Sequence, residues 1–135
     1  MRLVDIPAGA GQGLGLFDVL HDYASGAALS YTLMDAAARY YGTAAISFLE
    51  RITQPAEWRD LAHAIKERSS AFIKKNLPPQ YGGQLYRVGE RFALIAAAGE
   101  LATHYGITTW PPGEADQAMV RCFQDWIDYR GGADN

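Results

Sequence analysis

One cysteine, three histidines and no lysine before Lys66 leave this chain of 135 residues little material for catalysis near its N-terminus. Each scarcity excludes something. A lone Cys122 rules out an internal disulfide framework and fits a reducing compartment. Without an early lysine, the glycine-rich opening GAGQGLG cannot be a Walker loop, which needs G-x-x-x-x-G-K-[ST] to reach the outer phosphates. It fails the dinucleotide pattern G-x-G-x-x-G as well, because from Gly9 or Gly11 the last position falls on Leu14 or Leu16. Long apolar runs are missing too. The longest run of small and apolar residues, Phe92 to Gly99, is far too short to cross a bilayer, so no membrane partner is expected. Arg2 is followed by only a few apolar residues before Asp5, which is not a signal-peptide pattern. The expected location is the cytoplasm.

What is present is helical spacing. Leu3, Val4 and Ile6, stopped by Pro7, form a short strand-like stub with no partner strand later in the chain. Residues 1–16 therefore read as an extended segment and a glycine hinge, 17–132 as a helical domain and 133–135 as a tail. A short helix is expected at about Phe17–Tyr23, and a second at Ala27–Tyr41 with Leu29, Leu33, Ala36, Ala37 and Tyr40 on one face. Thr43 can cap a third holding Ile46, Phe48, Leu49 and Ile52. Pro55 suits the first turn of a fourth, which aligns Trp58, Leu61, Ala62, Ile65, Ser69, Phe72 and Ile73 and ends before Leu77-Pro78-Pro79.

The fifth helix, about Gln84–Tyr105, reads as the centre of the fold. Leu85, Val88, Phe92, Ile95, Gly99 and Ala102 step by three and four, and Leu94, Ala98 and Leu101 add a second stripe. A helix apolar nearly all round is expected to be buried, with Ala96–Gly99 admitting a close neighbour. A last helix, about Glu114–Arg130, carries Ala115, Met119, Cys122, Phe123 and Trp126 on its face and ends at Gly131-Gly132. The expected class is all-α, a bundle of five to six helices with a short N-terminal extended segment.

Candidate chemistry is sparse. His63 with Glu67, and Glu100 with His104, stand four apart and share a helix face, but a di-metal bundle site needs more carboxylates at other spacing. No metal, no cofactor and no catalytic residue is expected, and Cys122 reads as an inert core thiol. Charge is more informative. Residues 1–50 carry two basic and five acidic side chains, residues 51–91 eight and four, and residues 92–135 two and six. A basic zone in an acidic chain marks either a solvated helix face or a surface for an anionic partner. If nucleic acid binds, weakly in view of the net charge of −3, the candidates are Arg68, Lys74, Lys75 and Arg87. Arg91, one turn beyond Arg87, borders Ile95 and Ala102, so its stem is expected to be covered and its head to need an anion.

Four stretches resemble, in this order, the C-terminal part of domain-of-unknown-function family 927: RLVDIPAGAGQGLGLFDVLHDYASG, YYGTAAISFLERI, RVGERFALIAAAGELATHYGITTWPPGEA and CFQDWIDYRGG. The resemblance spans nearly the whole chain, and the RFALIAAAGELA stretch with the CFQDW helix is its most specific part. Members are bacterial and phage proteins similar to P-loop ATPases of the primase–helicase kind, in which a nucleotide-binding core precedes these segments. The ATPase motifs have no matching positions here. The resemblance thus implies a non-catalytic helical domain contacting the ATPase core, a neighbouring subunit or nucleic acid, with RLVDIPA as an exit strand and GAGQGLG as a hinge. It also gives Arg91 two expected roles, an internal ion pair or an arginine that senses the transferred phosphate. A stand-alone protein-interaction or dimerisation module, its N-terminal stub paired across a two-fold axis, is the alternative.

Overall fold

The computed structural model describes residues 4–54 and 58–132. Among them five helices and no strand are formed: α1 (Gly26–Arg39), α2 (Thr43–Ile52), α3 (Trp58–Asn76), α4 (Gly83–His104) and α5 (Glu114–Tyr129). The class is all-α. The chain divides into two units, one of Pro7–Thr43 and one of Ala44–Asn135 with Met1–Ile6, as far as these are described. Pro55, the Trp58 side chain, Leu3 and the 133–135 tail lie outside the described residues.

In the larger unit α4 packs against both α3 and α5. The reason is complementary size. The inner face of α4 offers Leu85, Val88 and Phe92 interleaved with the small Gly89, Ala93, Ala96 and Ala97, all buried. Phe123 of α5 fills this relief, its ring 5.4 Å from Phe92, 6.4 Å from Phe72 of α3 and 6.1 Å from Trp126. Val4, Ile73, Leu77 and Met119 pack around that cluster. At Gly99 the helices come closest: a methyl added there would lie 2.5 Å from the Ala115 Cβ. α2 meets the far end of α4 through Phe48 and Arg51, which lie against the Tyr105 ring.

Two expectations are corrected here. The α4 helix is not buried all round, for Leu94 and Ile95 are more than half exposed. Its Leu85, Phe92 and Ala96 side is buried, whereas Ala98 and Leu101 of the second stripe are half-buried, Leu101 facing a cleft shared with Leu61 and Ala64 of α3. The short helix expected at Phe17–Tyr23 is also absent. That segment is a series of turns, with Phe17 N–H donating to Leu14 C=O, Tyr23 N–H to Leu20 C=O, and His21 at φ 52°. Two aspartates within so few residues compete for backbone groups, and a stretch this short cannot offset helix nucleation.

In the smaller unit Ser25 caps α1, its Oγ accepting from the Ala28 N–H at 3.2 Å. Gly11, Gly13 and Gly15 all hold positive φ in a loop closed by Ala10 N–H donating to Gly15 C=O. Glycine is needed there for backbone conformation. Of the face expected on α1, Leu29 alone is buried, while Leu33, Ala36, Ala37 and Tyr40 are exposed.

Candidate functional site

The five candidate cations fall into separate places. Arg68, Lys74 and Lys75 are exposed on the second half of α3, and Arg87 and Arg91 are exposed on α4. Arg68 and Lys75 share a cleft of about 190 Å³ between α3 and α5, floored by Ala71, Phe72 and Val120 and answered by Asp116. Arg87 and Arg91 line another, of about 330 Å³, with Gln84 and Val88. Lys74 lines neither. None of the five forms an ion pair among the described residues, where the pairs are His63 with Glu67 and Arg121 with Asp125. The internal ion pair expected for Arg91 is therefore not formed there.

Glu90, the acid nearest to these arginines in sequence, lies one turn beyond Tyr86, and its charge raises the pKa of that phenol. Tyr86 in turn stacks on Tyr81, ring centroids 6.0 Å apart and planes 20° apart. Both rings keep substantial exposure, 38% and 48%. Sequence spacing missed this pair because its members stand five apart and Tyr81 lies before the helix. The signal was Gly82-Gly83 between two tyrosines: an extended Gly82 leads straight into α4 at Gly83, so that Tyr81 lies beside Tyr86.

Glu100 was missed as well. Rather than facing His104, its buried carboxylate accepts from the Gly113 N–H at 2.8 Å and the Asp116 N–H at 3.2 Å. It caps α5 from another helix, since Gly113 has no side chain to do so. The clue was a helix start without Ser, Thr, Asp or Asn. His63 sits 3.1 Å from Glu67 on an open surface, and His104 lies against Tyr105. Among the described residues no three of His, Cys, Asp and Glu gather as metal ligands. Cys122 is half-buried. No helix among the described residues is long and apolar enough to cross a membrane.

No family model, no curated protein and no solved structure matches this chain.

Proposed function

We propose that this chain is a non-catalytic helical module that docks on a P-loop ATPase core of the primase–helicase kind, or on a neighbouring subunit of one. The observation that carries the reading is the outer surface of α1. Tyr31, Met34 and Tyr40 are 69%, 66% and 80% exposed, and Leu33 and Tyr41 are open beside them in sequence. Large apolar side chains grouped in this way mark a surface made to be covered. A unit of this size, Pro7–Thr43, is also below the length at which a chain ordinarily builds its own core. The resemblance described above supplies the kind of partner, and Leu94 and Ile95 on α4 are a separate pair of exposed apolar side chains in the larger unit.

Hydrogen exchange on the full chain tests this, alone and mixed with a purified ATPase core of that kind from the same genome. Slower exchange across Gly26–Arg39 on mixing, lost in a Leu33→Glu, Met34→Glu variant, is the expected result. Unchanged exchange there overturns the docking reading. A dimer in sedimentation, with α1 already protected in the chain alone, assigns the face to a second copy instead. Isothermal titration of the chain with magnesium ATP is expected to show no saturable binding, because no phosphate loop or its lysine is present.

A further inference from the structure

From the Tyr81–Tyr86 stack and the Arg87–Arg91 cleft on the same helix, we infer that the N-terminal end of α4 binds single-stranded nucleic acid. The two rings stack bases, and Arg87 and Arg91 contact the phosphates. This stands on residues apart from α1, so the docking reading can fail without touching it.

Three observations converge. First, the two tyrosines stand outside the buried core and stack on each other while remaining exposed. An ordered, exposed aromatic pair is a platform on which a base can stack with little further loss of side-chain freedom, and stacking is tolerant of base identity. Second, the sequence from Arg68 to Gly89 carries four basic and no acidic side chains. Third, packing brings the end of α3 against the start of α4. Leu77 and Ile73, which flank Lys74 and Lys75, both abut Gly89, where a methyl would lie 2.9 and 3.0 Å from their Cδ1 atoms. Gly82 and Gly83 leave the space before α4 open, with no protein atom nearer than an Arg87 guanidinium nitrogen 3.8 Å from where a Gly83 Cβ would be.

Single strands fit this arrangement better than duplex. A duplex hides its base faces and offers the tyrosines only sugar and phosphate, whereas an unpaired strand presents a base to each outer ring face. An acidic peptide would use the cations and leave the rings idle.

Fluorescence anisotropy of the full chain with a labelled oligothymidine of about 16 nucleotides, against the same length of duplex and against polyglutamate, decides the matter. Oligothymidine is expected to bind more tightly than either competitor at low salt. Tyr81→Ala with Tyr86→Ala should weaken binding about tenfold or more, the loss of one or two base stacks. Tyr81→Phe with Tyr86→Phe should retain it, since phenylalanine stacks without the hydroxyl. Arg87→Ala with Arg91→Ala should lower the dependence of log affinity on log salt by about 0.7 per phosphate contact removed. The tyrosine variants change exposed side chains, and an unaltered circular dichroism spectrum separates lost binding from lost fold. Full affinity in the double alanine variant overturns the proposal. So does equal affinity for duplex or polyglutamate, or no binding to oligothymidine at any salt.

Discussion

α1 and α5 differ by only two residues in length, 14 against 16, and are held in opposite ways. α5 buries Ala115, Phe123, Trp126 and Ile127, whereas α1 buries Leu29 alone. Both have apolar residues at helical spacing, so spacing does not account for the contrast. The difference is the surface opposite. Phe123 and Trp126 have a facing helix whose Gly89, Ala93 and Ala96 leave room for rings, and Ala115 has Gly99. For α1 the Pro7–Thr43 unit provides no such counterface. A hydrophobic stripe becomes core only where relief of the complementary size meets it.

The sharpest way to break this comparison is to truncate one large side chain on each helix. Phe123→Ala should destabilise the chain by about 3–5 kcal/mol, as removal of a packed aromatic does. Leu33→Ala and Met34→Ala should each stay within about 0.5 kcal/mol, as exposed substitutions do. Urea unfolding of the full chain measures all three. A loss of several kcal/mol at Leu33 or Met34 would mean that α1 already has a partner surface within the chain.

Next in size is the α4–α5 joint. Glu100→Ala leaves the Gly113 and Asp116 N–H groups without their acceptor, at a cost of about 1–3 kcal/mol. A neutral result in the same unfolding assay would show that water replaces the carboxylate. Gly99→Ala should cost less than about 2 kcal/mol, because crowding against Ala115 is partly offset by the better helix propensity of alanine. Gly89→Ala should be milder than Gly99→Ala. Its obstacles are the flexible ends of Leu77 and Ile73, whereas Ala115 has no rotamer to change.

Much of this fold was legible, and the reasons differ from element to element. The limits of α4 and α5 could be read within a residue or so, because Gly82-Gly83, Gly106, Gly113 and Gly131-Gly132 punctuate them in the sequence. The fate of Leu94 and Ile95 could not, since periodicity records which residues share a stripe and says nothing of how many neighbours arrive. The turn at His21 was illegible for another reason: short segments near two aspartates carry no decisive propensity. Among the candidate residues, charge counting located the cations but not their division between two clefts. Nor could it find the stack of Tyr81 on Tyr86, which depends on backbone at Gly82 and on rotamers.

The pairing of Glu90 with Tyr86 offers the smallest effect and the finest test of how firmly the well-packed unit holds its surface. The negative charge of Glu90 disfavours a phenolate beside it, and with partial desolvation this raises the Tyr86 pKa above the ordinary tyrosine value of about 10. The sign follows directly. A pKa raised by folding means that any stability from the contact is fully present below the ordinary value and disappears as pH rises through the raised one. Glu90→Gln removes the charge while keeping an acceptor, so the phenol should titrate at lower pH than in the parent chain. The phenolate absorbance of each chain, with that of its Tyr86→Phe counterpart subtracted, isolates the one residue. A titration unmoved by Glu90→Gln would mean that the two side chains do not stay together in solution.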